Sequence, residues 1–561
     1  MMTFKPTGTL DLSSSSTEVK GNFTRSKNLK YEQNAIAITR HGSKRTTENQ
    51  LAKKARFLIE QGGNRYSFAS TFAYQNEASL SFSNMIANAL ADAQWDGMKY
   101  NSFNDTTERV FCLNGTDRVK ISGTTMEEWG IDAPTNAPVL GVGAGTGLTG
   151  TYNVKYTYLR KSGSTIIVES NPSDAASSGQ ALTNQDLDVT WTASSDPQVT
   201  HVRLYRTVPS GLVYFVDQDI AVGTVTVDTS TADTSLGTSV VTTNDRPPLG
   251  TLVTSPLYNG IVFIAKGNLL HYSKTKQPEY FPLLNFIEVG SPSFPIKTLL
   301  TFNGALFALT TEQIWSIQGT TQGSFQAVPM QSLTGSPNQY GAVGVKGKGI
   351  YHIGEDGIYL YTGVDQKLTE QSYEPIFPDA GGQDGVNTNG VQGVPTASST
   401  KWLIQFQNKI YFHYGNGNVI VFNTDSGRSY YHKYDLELNS PAIDYTNDRF
   451  ICGDTGKYIR TIEDPTATLD IASSIAWEIQ SEDYTEQTSR DFPKWMKYDV
   501  DVTNATSVTG SLIVDDVVHK AHTLTESRKP KRRLVDVTNG LRFAVRMNGT
   551  GLVKIYAATI E

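Results

Sequence analysis

The groups in this 561-residue chain best placed to do chemistry are cations, and they are bunched. Arg528-Lys529-Pro530-Lys531-Arg532-Arg533 puts five positive charges into six residues between two strand-like stretches. The second bunch is N-terminal: residues 1–65 hold twelve Lys or Arg, among them Arg40, Lys44, Arg45, Lys53 and Lys54, against five acids. The whole chain carries a formal charge of −7, so this excess of seven leaves −14 on the remainder. A basic end on an acidic body is suited to docking on something negative, either another protein or nucleic acid. The loop at 528–533 could grip phosphates or an acidic neighbour, and a merely solvated hairpin tip is the alternative.

Groups for covalent or metal chemistry are not gathered in the same way. Eight histidines are scattered along the chain, and only His519 and His522 are close, with no Cys or acidic motif beside them. No G-x-S-x-G, H-E-x-x-H, P-loop or EF-hand pattern occurs. GVGAGTGLTG at 141–150 has the glycines of a phosphate loop but ends without Lys-Ser/Thr and runs into a strand. No helix N-terminus would then face a phosphate, and the stretch reads as a flexible joint. GEDGIYLY at 354–361 and TDSGRSYY at 424–431 faintly resemble the Asp-turns of sialidase propellers, but Asp and Gly are also the residues any tight turn selects. Cys112 and Cys452 are far apart in the chain and read as small buried hydrophobes, with a bridge between them left open. These readings predict a protein that is not an enzyme and takes no cofactor or metal.

The elements that would position the cations follow from a recurrent phrase. FNGALFALTTEQIWSIQG at 302–319 runs strand, tight turn, strand, and closes on an aromatic and a glycine. Degenerate copies stand at 347–363, 402–434 and 442–464. Repeats a few tens of residues long, each a small antiparallel sheet, predict a β-propeller, because one such sheet cannot bury both its faces alone. The copy at 107–134 turns at Asn114-Gly115, so the first part of the propeller is expected over 51–140 and the rest over 255–465. Between them, TYNVKYTYLRK sets Tyr152, Val154, Tyr156 and Tyr158 on one face at period two, and Trp191 follows on a later strand. That text predicts an inserted fibronectin-III- or immunoglobulin-like sandwich over 148–245. Alternating strands over 475–561 predict a C-terminal β-sandwich-like module. Residues 1–50 are polar and read as an extended basic arm. ASLSFSNMIANALAD at 78–92 is the one stretch that could be helical. The long Gly- and Asn-rich stretch at 378–399 is a functional or unordered loop. No run of about 18 apolar residues is present, so no membrane-spanning segment is expected, and the N-terminus has no apolar signal core.

The order of these phrases carries a resemblance. TRHG at 39–42 comes first, then RVFCLNGTDRVKISG with WGIDAP ending at 134, then GTYNVKYTYLRKSG and VRLYRTVPSG. LFALTTEQIWSIQG and the late strand FPKWMKYDVDV complete it. Taken together the chain resembles the tail hub or nozzle proteins of short-tailed bacteriophages, also known as tail tubular or packaged-DNA-stabilisation proteins. The resemblance implies a structural virion protein of the tail, made in the host bacterial cytoplasm. It implies a homo-oligomeric ring of six copies docked under the portal and head-to-tail adaptor and carrying fibres or spikes. Such a ring encloses a channel that retains the phage DNA and lets it pass at ejection without sequence-specific binding. An acidic body suits that channel, because it repels phosphates, and leaves the clustered cations for docking. The rival expectation is a glycan-binding or glycan-cleaving surface propeller, which would be expected to carry a signal peptide and acidic clusters beside aromatic platforms.

Overall fold

The computed structural model describes the chain except for residues 1, 13–21, 33–35, 47–49, 76–79, 82–89, 102–103, 371, 378–389, 396–400, 486–492, 529 and 538–539. The described residues are almost entirely β, with two short 3-10 turns, Asp233–Ser235 and Glu374–Ile376, and no α-helix. No helix among them is long and apolar enough to cross a membrane. The stretch at 78–92 that could be helical lies mostly outside the described residues, as does most of 378–399.

Seven four-stranded sheets repeat one plan, each strand paired to its neighbour in the sequence. They occupy 57–81, 96–128, 252–288, 298–329, 342–367, 402–433 and 438–461. This is the β-propeller the repeats predict. Its turns explain the recurring Asn-Gly: Asn303 and Gly304 both have positive φ, +49° and +77°. That pair of left-handed residues makes the tight hairpin whose twist matches its strands. The last sheet departs from the plan. Leu438–Asp444, Arg449–Asp454 and Ile459–Thr461 supply three strands, and the fourth is Lys44–Arg45, from the other end of the chain.

The chain divides into two compact units, residues 1–80 with 307–315 and 329–561, and residues 81–306 with 316–328. Within the second, the inserted sandwich buries Tyr152, Val154, Tyr156, Tyr158, Val189 and Trp191, the set that period two and the Trp anticipate. It begins earlier than expected. Val139–Val142 pairs with Leu187–Thr190 and so belongs to the sandwich, not to the propeller's first part. The glycine run is therefore not a flexible joint but two strands and their connection. Its glycines make room for acids: a Cβ at Gly143 would stand 2.6 Å from Asp228 Oδ1, and one at Gly145 would stand 2.0 Å from Asp186 Oδ2. Across the insertion the sheets 96–128 and 252–288 share a core of Met98, Phe111, Leu113, Trp129, Val253 and Ile264. Half-buried Asp96 accepts the Val253 N–H at 2.8 Å, and desolvation of its carboxyl pushes it up to about 7.

Within the first unit, the C-terminal β-sandwich module rests on two long strands, Trp495–Val514 and Arg542–Ile560, paired along their length with three irregularities in register. Such irregularities bend and twist a strand, which lets one sheet wrap its own core. The N-terminal segment is extended, as expected, but is not a free arm. Met2–Phe4 and Ala37–Thr39 pair with Arg542–Ile560, and Phe23–Lys27 pairs with Ala476–Ser481. Phe4, Phe23, Leu29 and Ala37 sit in the module's core, and Leu10 and Leu12 in the core under the sheets 342–367 and 402–433. Cys112 and Cys452 are buried free thiols.

Arg40 exposes the physical reason. It is fully buried, with Nη1 donating to Asp470 Oδ1 at 2.9 Å and Nη2 to Asp470 Oδ2 at 2.5 Å. Its Nε donates to Asn28 Oδ1 at 2.9 Å, its second Nη2 bond goes to the Lys433 carbonyl, and the guanidinium lies 3.9 Å from the Tyr434 ring centroid. A buried carboxylate left without this partner is expensive, so Arg40→Ala is expected to cost about 3–5 kcal/mol of stability in denaturant unfolding. Deleting residues 1–45 should likewise lower the melting temperature of the full chain, where a free arm would leave it unchanged.

Candidate functional site

The closing strand Lys44–Arg45 lies in the wall of a cleft of about 930 Å³ within the first unit. Four parts of the chain build that wall. The N-terminal segment gives Lys30, His41, Lys44, Arg45 and Thr46, and the sheet 57–81 gives Arg65. The sheet 402–433 gives Phe406, Gln407, Lys409 and Tyr411 from one hairpin. The closing sheet gives the hairpin Asp444 to Phe450 and the stretch 461–466 that leaves its third strand.

The floor is a buried charge network. The Glu463 side chain is 7% exposed, and the residue takes the left-handed conformation, φ +49°. Lys409 Nζ lies 3.2 Å from its Oε2, His432 Nδ1 lies 3.2 Å from its Oε1, and the Tyr411 hydroxyl bonds to the same carboxylate. Burial works to raise the Glu463 pKa, but Lys409, His432 and Lys30 outweigh it and hold the carboxyl well below its ordinary range. Burial also pushes the Tyr411 phenol up and the His432 imidazole down, the latter against the pull of Glu463. A conformation this rare for a non-glycine residue survives only where its surroundings over-determine it, which these three partners do.

The rim is different. Asp444 is held by Asn447, with N–H···Oδ1 at 3.1 Å and Nδ2–H···Oδ2 at 2.9 Å. Asp464 accepts the Thr466 N–H at 2.8 Å and its hydroxyl at 2.6 Å. Their carboxylates are committed within the protein. The cations are not: Lys30, Lys44 and Arg449 have no hydrogen bond or ion pair among the described residues. Arg45 lies 3.8 Å over the Tyr458 ring and has no carboxylate partner there. Burial draws Lys30 below the ordinary lysine value, and the charge of Glu463 offsets this only in part.

The structure separates the other candidate cations from this cleft. Arg40 is interior, as described, so the expectation that it docks a partner is corrected. Lys53 and Lys54, on the connection into the sheet 57–81, do not line it. In the C-terminal loop Arg528 Nη1 lies 2.9 Å from Asp499 and the guanidinium stacks 3.6 Å over Tyr556. Lys531 pairs with Glu526 at 2.6 Å and Arg532 with Glu561 at 2.8 Å. Arg533 is in a strand paired with Trp495 and Met496, and Lys529 lies outside the described residues. Most of that loop's charge is thus answered by acids of its own module. His519 and His522 each contact a backbone carbonyl of the neighbouring 533–535 stretch, Val535 and Leu534. Sequence reading missed Lys30, Arg65, Lys409 and Arg449 as partners of Lys44 and Arg45, because only the strand exchange brings them together.

A second surface is apolar. Seven of the twenty large apolar side chains exposed among the described residues belong to the inserted sandwich, from Val139 to Val241. Leu212 is 91% exposed and Val213 52%. Val240 N–H bonds to the Tyr214 carbonyl, which sets Val241 beside that turn.

No family model matches this sequence, and no curated protein does. Solved structures give overlaps of low quality. BamB from Moraxella catarrhalis is 10% identical, covering 76% of this chain and 97% of its own, with a TM-score of 0.34. A computationally designed protein, Ika8, is 10% identical, covering 75% and 99%, with a TM-score of 0.32. BBS1N in complex with ARL6DN is 10% identical, covering 66% and 93%, with a TM-score of 0.29.

The sign of the Glu463 shift sets a test. A carboxyl held low by the fold contributes stability that is complete above its ordinary value of 4.5 and lost as pH falls through the lower folded value. Glu463→Gln should therefore lower stability by about 1 kcal/mol or more near neutral pH. The gap between wild type and variant in urea midpoints should stay level down to about pH 5 and narrow below it.

Proposed function

We propose that this chain is a structural subunit of a ring-shaped hub or nozzle in a short bacteriophage tail. In that role copies of it, six by the family resemblance, dock under a portal or adaptor, enclose the DNA path, and carry fibres or spikes. The observation that carries the reading is the inserted sandwich with its exposed apolar residues. A monomer has no use for Leu212, Val213 and Val241 bared beside one another, whereas a subunit buries such a patch against a neighbour. A closed ring repeats each weak contact around its symmetry axis, so a modest patch per subunit is enough. The order of modules supports the same reading, since a propeller interrupted by a sandwich and followed by a second β-module is the arrangement the resemblance implies. On this reading the role is architectural, not catalytic, and the acidic body repels the phosphates of passing DNA.

Negative-stain microscopy of the purified chain, alone and with a phage connector, is the test. Rings with a central hole, or a cap added to the connector, are expected; compact monomers in both samples would overturn the proposal. Leu212→Asp with Val213→Asp should abolish the ring in sedimentation velocity. Both residues are exposed, so stability should change by no more than about 0.5 kcal/mol.

A further inference from the structure

We infer that the cleft closed by Lys44–Arg45 is a docking site for an acidic, extended polypeptide segment of a partner protein, read by carboxylates placed between Lys30, Lys44, Arg45 and Arg449. This goes beyond the ring and does not depend on it, since every residue involved belongs to one unit of a single chain.

The argument begins with charge that the protein does not use. Lysines and arginines at a folded surface commonly find a carboxylate or stay fully hydrated. Here Lys30 is half-buried and makes no hydrogen bond or ion pair among the described residues, while Lys44 and Arg449 stand unpaired at the same opening. Three of the four carboxylates that line the cleft are hydrogen-bonded or paired within the protein, Glu463 to Lys409 and Tyr411, Asp464 to Thr466, and Asp444 to Asn447, while Lys44 and Arg449 act on Asp464 only through space. A cleft with a surplus of cations over a floor whose carboxylate is already paired attracts anions, most strongly at low salt because Lys44, Arg45 and Arg449 are exposed. Arg45, with its guanidinium carbon 3.8 Å from the Tyr458 ring centroid, keeps its N–H donors free of any carboxylate among the described residues, and a planar two-oxygen group is the partner a guanidinium binds with two parallel bonds.

The choice of polypeptide over nucleic acid rests on what else lines the cleft. Single-stranded nucleic acid is held by aromatic platforms alternating with cations. Tyr411 and Phe450 are buried, and half-buried Phe406 packs against Phe450 with ring centroids 6.1 Å apart, so the lining offers one partly covered ring and no series of platforms; exposed Tyr445 lies outside the lining. The wall also carries exposed Asp448, which has no ion pair among the described residues. A phosphodiester backbone brings a charge at every nucleotide and meets that acid, whereas a peptide can put a carboxylate at each cation and a neutral residue opposite Asp448. A volume of about 930 Å³ suits a short segment and not a duplex.

The test is fluorescence anisotropy on the full chain at low salt with a labelled hexaglutamate peptide, against a labelled oligothymidylate of the same formal charge and against inorganic phosphate. The peptide should bind at least about tenfold more tightly than the oligonucleotide, with affinity falling steeply as salt rises. Lys44→Glu with Arg449→Glu, both exposed, should weaken peptide binding by about tenfold or more without lowering the melting temperature. Asp448→Asn should strengthen it. Lys531→Glu, in the C-terminal loop, should leave it unchanged, which separates the cleft from net charge. Oligonucleotide or phosphate bound as tightly as peptide, no peptide binding, or an equal loss from Lys531→Glu would each overturn the inference. None of these readings depends on whether rings form.

Discussion

The sheet that ends the propeller is one strand short, and the rest of the first unit is arranged around supplying it. A three-stranded sheet at 438–461 would leave an open edge, which proteins normally cover or pair. Lys44–Arg45 pairs with Thr461 and Arg460, so the chain's beginning must return to its late repeats before that edge is closed. Two buried arginines hold the return. Arg460 binds Asp454 through Nη2 at 2.5 Å and Asp435 through Nη1 at 2.6 Å, and donates to Ser43 Oγ at 3.1 Å. Ser43 passes the link to Asp470 at 3.2 Å, and Asp470 is the carboxylate that takes the fork of Arg40. A single hydroxyl thus joins two ion pairs, one from the propeller repeat and one from the N-terminal segment. Charges buried in this way stabilise little relative to apolar packing, but they tolerate only one register.

That clasp explains why the N-terminal cations divide into two kinds. Arg40 faces inward and is spent on the fold. Lys44 and Arg45, four and five residues on, form the last strand itself, are exposed, and make no ion pair among the described residues, Arg45 resting over Tyr458. The strand exchange also decides their neighbours. Arg65 comes from the first propeller sheet, Lys409 from the sixth, and Arg449 from the seventh, and only a chain that closes first on last can bring these together. The cleft is a by-product of closure in geometry, and its unpaired charge is what gives it a use.

How much of this could be read in the sequence depends on the range of the interaction. Period-two aromatics and Asn-Gly turns are local, so the propeller repeats and the sandwich core of Tyr152, Tyr156 and Trp191 were legible without a structure. The boundary near residue 140 was not. Gly141, Gly143 and Gly145 look like slack when only their neighbours in sequence are considered, and become strand positions once Asp186, Asp188 and Asp228 occupy the space a Cβ would need. The N-terminal segment misleads for a related reason. Its polar composition suggests an arm, yet Phe4, Leu10, Phe23 and Leu29 are spaced too widely to show a period and are buried against strands hundreds of residues away.

Charge counting has the same limit. The bunch at 528–533 is the denser in sequence, but Arg528, Lys531 and Arg532 find Asp499, Glu526 and Glu561 within their own module. Lys30, Lys44 and Arg449 are dispersed over more than four hundred positions and converge on one opening. Density along the chain measures how many cations a loop holds; what can dock a partner is the charge left over after the fold has answered its own. In this protein that remainder lies where the last propeller sheet receives its missing strand, so any partner held there would also press Lys44–Arg45 onto the sheet it completes.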